Sequence, residues 1–500
     1  MALSPLSNSY GISRQILELR AKMDDLQRQL ATGKKADTYG ELGTDRVLSL
    51  SLRARVSSIE GYQQTISQAG LHLNLIQQNL GRFEEIVGET RTDSLQRDLQ
   101  LSVGGQTQTQ ISAGLRLNEA VGLLNFDLAG RHFFGGRDTQ DAPVLASDMI
   151  LEGDGNKAGL KQLIAERRLA DLGADGRGRL VVASGPADTV NLTEDAASSP
   201  FGLKLSGISG NLSGTTLTPP AGSPAALSVT FSATLPQPGE TVRLTFALPD
   251  GSQEVLQLTA TATVPAGPGE FLIGTDASTT ATSFEAALGT ELETVGATSL
   301  RAASAYAAAD NFFIFDATTP PQRVSGPPFE TATALVDATA TDTALWYSGD
   351  LSTGLARDAA IARVDDNLTV AYGVRADEAP LRTSITALAV LAAETFDDID
   401  PRDSVRYDAL VSRTTERLNF ASSQKSVLDL IGELGFKQNA LEKAGERHAD
   451  ASIFTQGLLD DAENADSFEV GTLLLNLQNR LQASFQTTAT LSRLSLVNFL

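Results

Sequence analysis

The sequence predicts a mostly helical α+β protein: long N- and C-terminal helices that pair as a coiled coil and form an elongated rod, with a β-rich domain inserted between them. Two observations predict this. Apolar residues at both ends of the chain recur alternately three and four positions apart, which is the spacing of a helix that must cover one face with a partner. The middle of the chain instead carries most of the prolines, many Gly, Ser and Thr, and runs in which apolar and polar residues alternate, which is the period of a half-buried strand. The predicted regions are 1–143 (helical), 144–350 (an inserted β-rich domain), and 351–500 (return strands, then helices that pair with the first region).

In the first region Ile12, Ile16, Leu19, Met23, Leu26 and Leu30 form one stripe, and Gly33 ends that helix. Thr44 and Asp45 are suitable N-caps for a second helix. Its stripe runs through Leu52, Val56, Ile59, Gln63, Ile66, Ala69, Leu73, Ile76, Leu80, Phe83 and Val87. Continued to Val103, this helix would be roughly 90 Å long at ~1.5 Å per residue. A third helix is expected over Ile111 to Leu128.

In the middle region Val242, Leu244, Phe246 and Leu248 alternate, Pro249-Asp-Gly-Ser252 turns, and Leu256, Leu258 and Ala260 alternate again. That is a hairpin. Further strands are expected at Arg179–Ala183, Leu227–Ala233 and Phe271–Gly274, with a short helix over Phe284 to Leu292.

In the last region Leu381, Ile385 and Leu388 open a helix. Pro401 and Asp403 start another, which is expected to run through Val405, Leu418, Val427 and Ile431 and past Gly435 to Leu459. The acidic stretch Asp460 to Asp466 then turns, and Ser467 caps a final helix carrying Val470, Leu474, Leu477, Leu481, Phe485, Leu491 and Leu494. The chain ends on Leu496, Val497, Phe499 and Leu500, apolar nearly all round. A helix of that kind needs neighbours on every side, and other copies of the chain could supply them.

Composition narrows the function. A net charge of −22 on 500 residues opposes nucleic acid and anionic membrane surfaces. Without cysteine, disulfides, thiolate zinc sites and cysteine nucleophiles are excluded. His72, His132 and His448 are far apart and read as packing or surface residues. No segment approaches the ~20 apolar residues of a membrane span. The first ten residues lack the basic and apolar regions of a cleaved signal, so export without one is expected. Gly153-Asp-Gly155 and Gly173…Gly178 fit neither a dinucleotide fingerprint nor a P-loop and read as loops. Asp365-Asp-Asn367 lacks the ligand spacing of a calcium loop and reads as a turn. Trp346 and Tyr347 read as packing. No catalytic, cofactor or metal residues are assigned, and a non-enzymatic protein is expected.

Four segments carry a resemblance. Leu491–Leu500 (LSRLSLVNFL) resembles the C-terminus of flagellins and hook-associated proteins, and Gln29–Lys35 (QLATGKK) resembles their break after the first helix. Gly130–Thr139 (GRHFFGGRDT) with Ala142-Pro-Val144, and Val364–Asp377 (VDDNLTVAYGVRAD), are similar to the exit from and return to the helical domain in hook–filament junction proteins. Asp37–Gly43 (DTYGELG) departs from the family pattern. The resemblance covers residues 1–145 and 345–500. It implies a structural subunit of the bacterial flagellum, exported unfolded through the type III apparatus and located outside the cell. It further implies polymerisation through both terminal helical regions, partners among copies of itself, flagellin, the neighbouring hook-associated protein and an export chaperone, and a role in filament assembly and motility. The implied assembly residues are Ile12, Ile16, Leu19, Met23, Leu26, Leu30, Leu477, Leu481, Phe485, Leu491, Leu494, Leu496, Val497, Phe499 and Leu500. Bulk filament flagellin is the alternative within the family, and a secreted coiled-coil adhesin or effector the alternative outside it.

Overall fold

The computed structural model describes the backbone of residues 5–102, 104–186, 188–314, 319–397 and 399–497, and side chains from 11 to 490 within these ranges except that of residue 12. Among these residues the helices are α1 (Pro5–Thr32), α2 (Asp45–Asp93), α3 (Gln108–Leu124), α4 (Ser147–Glu152), α5 (Leu160–Leu172), α6 (Ala277–Val295), α7 (Arg301–Phe313), α8 (Ala379–Ala393), α9 (Arg402–Leu418), α10 (Val427–Glu463) and α11 (Ser467–Val497). The strands are β1 (Asp127–Leu128), β2 (Arg131–His132), β3 (Leu180–Ser184), β4 (Thr189–Glu194), β5 (Lys204–Gly210), β6 (Thr215–Ala221), β7 (Ala226–Phe231), β8 (Thr241–Ala247), β9 (Gln253–Thr261), β10 (Glu270–Leu272), β11 (Gln322–Val324), β12 (Leu335–Asp337), β13 (Ile361–Asp365) and β14 (Leu368–Ala371). The class is mixed α+β. The chain forms two compact units: Met1–Gly70 with Ala362–Val370 and Asn439–Leu500, and Leu71–Ile361 with Ala371–Gln438.

The first unit is built from both ends of the chain. Gly33 ends α1 as expected: its φ of 70° is open to glycine without steric cost, and its N–H donates to the Gln29 carbonyl at 2.8 Å. On α1, Ile16, Leu19, Met23 and Leu26 are half-buried, and Leu30 is exposed. This helix packs on α11, whose Val470 and Leu481 are buried. The start of α2 runs antiparallel to the end of α10. Ser49 and Arg53 bond Glu463, Tyr62 stacks on His448 with ring centroids 5.3 Å apart, and Ile66 lies beside Gly445. The buried positions Leu441, Ala444, His448, Thr455, Leu459 and Ala462 continue a three–four repeat along α10.

The second unit holds the β region. Strands order as β3-β4-β7-β6 and β10-β9-β8-β5 in two four-stranded sheets. Their inner faces share one core with α6, in which Phe231, Phe271 and Phe284 meet edge to face at 5.2 to 6.2 Å. The expected hairpin is β8–β9, with Ala247 opposite Gln253 and Gly251 at φ 82° in its turn. Helix α8 is buried along nearly its whole length, and it packs against α3, α7 and α9, as a helix apolar all round requires.

Several boundaries differ from expectation, each for a local reason. Helix α2 stops at Asp93 rather than Val103, about 74 Å long at ~1.5 Å per residue. The third helix starts earlier and ends earlier, because Thr107 and Gln110 form a capping box and Leu128 belongs to a small hairpin instead. The helix expected from Pro401 to Leu459 is two helices. After Leu418 the chain turns through Phe420 at φ 45°, and α10 starts afresh where Ser426 and Asp429 cap one another's N–H groups. The turn before α11 is shorter than the whole of Asp460–Asp466, since α10 continues to Glu463. Its cap is Asp466, whose carboxylate accepts from Phe468 N–H at 2.8 Å, and not Ser467. The short helix at Phe284–Leu292 is α6, and it continues through a π-helical turn, Gly296–Leu300, into α7. Strands β1, β2, β4, β5, β6, β11 and β12 and helices α4, α5 and α7 are additional to the elements expected. The edge strand β6 carries Pro219 and Pro220, which an edge tolerates and a central strand does not.

Glu463 joins α10 to α2 electrostatically. Arg53 donates to both its oxygens, at 2.7 and 2.5 Å, and Ser49 donates at 2.6 Å. The guanidinium, with the hydroxyl, holds this carboxyl down at about 2, against about 4.3 in an unfolded chain. A depressed carboxyl adds stability that is complete above the unfolded value and is lost as pH falls through the folded one. Arg53 is half exposed, so screening keeps the gain modest. The expected result is that Glu463→Gln melts below the wild type at pH 6, and that the gap closes between pH about 5 and 2. A gap that does not change over that range, read by thermal melts, would refute the assignment.

Candidate assembly surface

The segment that follows α1 meets the segment that joins α10 to α11. Lys34 bridges to Asn464, Lys35 N–H donates to the Glu463 carbonyl at 2.8 Å, and Ala465 N–H donates to the Gly33 carbonyl at 2.9 Å. Farther along the pair, Arg20 sits over the Phe485 ring, 5.6 Å from its centroid. The α11 residues that face inward are Val470, Leu474, Leu477 and Leu481, buried or half-buried at spacings of four, three and four.

Near its start, helix α11 also turns two apolar side chains away from that inward stripe. Phe468 is 89% exposed and Leu475, seven residues on, is 62% exposed, so both point the same way from the helix. Val47 on α2 and Ile453 and Phe454 on α10 are also largely exposed. Exposed apolar side chains occurring singly are ordinary. Here all five fall in the first unit, the smaller of the two, and exposed apolar side chains gathered in one unit are candidates for an interaction surface. Sequence reasoning missed these five residues because it followed a single stripe per helix. The available signal was an extra apolar residue at heptad spacing off that stripe, as Phe468 and Leu475 are.

Of the sequence-assigned assembly residues, Ile16, Leu19, Met23, Leu26, Leu477 and Leu481 line the α1–α11 pair, Phe485 meets Arg20 at its edge while 44% exposed, and Leu30 is 48% exposed. The side chains of Ile12, Leu491, Leu494, Leu496, Val497, Phe499 and Leu500 lie outside the described residues.

The two segments similar to the junction proteins' exit and return behave as follows. In the second unit Gly135 pairs with Arg375, Ala376 N–H donates to the Phe134 carbonyl at 2.9 Å, and Asp350 N–H donates to the Gly135 carbonyl at 2.9 Å. Gly136 has φ 71°, and a Cβ there would meet Asp350 and Arg375, so only glycine fits. Alongside, Val144 pairs with Tyr347. In the first unit the return strands β13 and β14 form a hairpin that docks through the Val364 carbonyl on His448 Nε2, at 2.6 Å, and through Asp366 on the Tyr62 hydroxyl, at 2.7 Å.

The other singled-out residues pack. Trp346 is buried, donates to the Phe313 carbonyl at 2.9 Å and abuts Tyr347. His132 Nδ1 lies 2.7 Å from the Asn125 carbonyl. His72 rests on Phe133, and burial lowers its pKa. Asp366 and Asn367 form the β13–β14 turn. Among the described residues no group of His, Cys, Asp and Glu could hold a metal ion, and no helix is long and apolar enough to cross a membrane. No protein-family model matches the chain, and no curated protein is significantly similar to it.

Proposed function

We propose that the chain is a non-catalytic structural subunit of the bacterial flagellum, exported unfolded and polymerised outside the cell through its terminal helices, with its place at the hook–filament junction. In this reading the terminal helices pair as a coiled coil along the rod, the β region faces outward, and the partners are further copies, flagellin and the adjacent hook-associated protein. One observation carries it most. Helix α11, in a unit made from both end regions of the chain, packs its apolar stripe on α1 and leaves Phe468 and Leu475 in solvent, as a subunit awaiting neighbours would. The family-like segments at residues 29–35, 130–144, 364–377 and 491–500 support it.

Phe468→Ser tests the surface. The side chain is almost fully exposed, so the monomer's melting temperature is expected to change little, while assembly onto hooks or seeds falls sharply. Normal sedimentation of Phe468→Ser with added filament seeds would remove the surface from the assembly. Wild-type chain that stays soluble with seeds would instead favour an adhesin or effector. Deleting the gene and imaging the flagellum tests the position: hooks without filaments, with flagellin still exported, are expected. Cells that lack flagellin altogether would identify the chain as the filament subunit.

A further inference from the structure

The second unit contains a cleft of about 380 Å³ beside the π-helical turn, lined by the guanidinium-bearing Arg168 of α5, Arg301 at the exit of the turn and Arg402 of α9, and by the carboxylate-bearing Asp175, Glu293 and Asp400. π-Helical turns inside α-helices recur at functional sites. Here the turn places Arg301 at the cleft with its Nε buried, and that nitrogen has no hydrogen-bond partner. Nor does Arg301 form an ion pair among the described residues. Its neighbours do. Arg168 holds Glu394 at 2.5 Å, Arg402 holds Asp400 at 3.0 Å, Arg406 holds Asp403 at 3.3 Å, and Arg177 holds Glu293 at 3.0 Å. The nearby carboxylates are thus already engaged, apart from the exposed Asp175 at the mouth. The Nε atoms of Arg168 and Arg406 are likewise buried without partners. Burial and the charges of Arg168 and Arg406, opposed in part by Glu394 and Asp403, push Arg301 down to about 10, still cationic at neutral pH.

A half-buried guanidinium with no direct ion pair, repelled by two others and drawn only at longer range by Glu394 and Asp403, is an unfavourable arrangement. An anion relieves it, and the planar fork of arginine matches phosphate and carboxylate oxygens. We propose that this cleft binds a small oxyanion, a phosphate or a carboxylate, between the guanidinium groups of Arg301 and Arg168. The site does not depend on the flagellar reading.

Thermal melts and calorimetric titrations of the full chain test it, with inorganic phosphate and with succinate, each against chloride at equal ionic strength. The expected result is a saturable rise in melting temperature with at least one of the two, and the responding ion identifies the ligand chemistry. Arg301→Gln is expected to lose at least about tenfold in affinity and, in chloride alone, to melt no lower than the wild type, because it removes an uncompensated charge. Should Arg301→Gln fold poorly, Arg301→Lys keeps the charge but loses the fork, and weaker binding is expected. No saturable response to either ion, or an equal response in the variants, overturns the proposal.

Discussion

Leu481→Asp is expected to abolish incorporation of the chain into hook or filament while leaving the β region folded. Leu481 is 6% exposed on the α11 face that packs on α1. Burying a leucine there contributes about 1.5–3 kcal/mol, and an unpaired carboxylate in its place adds a desolvation penalty. Isolated helices are marginal in water, so α1 and α11 lose their mutual support together. Limited proteolysis is expected to show both ends cleaved faster, and complementation of a deletion strain to leave cells non-motile. Normal swimming with full-length filaments would show that the α1–α11 pair is not needed for assembly. Phe468→Ser separates two steps of the same process. It leaves the pair intact and removes only an outward-facing side chain, so α1 and α11 are expected to resist protease as in the wild type.

Phe284→Ala is expected to cost about 3–5 kcal/mol, the largest single loss of stability anticipated in this chain. Its ring is fully buried and meets Phe231 at 5.6 Å and Phe271 at 5.2 Å, joining α6 to both sheets. Truncation leaves a cavity and removes two edge-to-face contacts. Val255→Ala, on the same hairpin as the core strand residues but 52% exposed, is expected to change stability by less than about 0.5 kcal/mol. Denaturant midpoints compare the two. Equal midpoints for both variants would show that the phenylalanine cluster does not hold the sheets together.

Periodicity alone made the helical ends, the β8–β9 hairpin and the stripe from Leu52 to Val87 legible, because burial of one face imposes a repeat that sequence records directly. Glycine and proline made the end of α1 and the hairpin turn legible for the same local reason. Caps were readable in principle: Ser426 with Asp429, and Thr107 with Gln110, are side chains that bond N–H groups three positions away, yet the apolar stripe from Leu418 to Ile431 concealed the first break, and the start of the third helix was set by its apolar residues and not by its cap. Strand β5, with its glycines and serines, and edge strand β6, with Pro219 and Pro220, have little intrinsic strand signal. They are strands because β8 and β7 offer them a ladder.

The sequence by itself determined where amphipathic helices lie, that a β-rich stretch interrupts them, and that no thiol chemistry occurs. Those properties follow from local spacing and composition. Tertiary structure alone decided which helices meet. It set α1 on α11 and the start of α2 against the end of α10, closed residues 134–136 onto 375–376, and packed α7 of the middle region against α8 and α9. It also left Phe468 and Leu475 in solvent and Arg301 without a direct ion pair. Such features depend on which surfaces remain after every pairing is made, a sum over contacts between residues hundreds of positions apart that no local pattern contains.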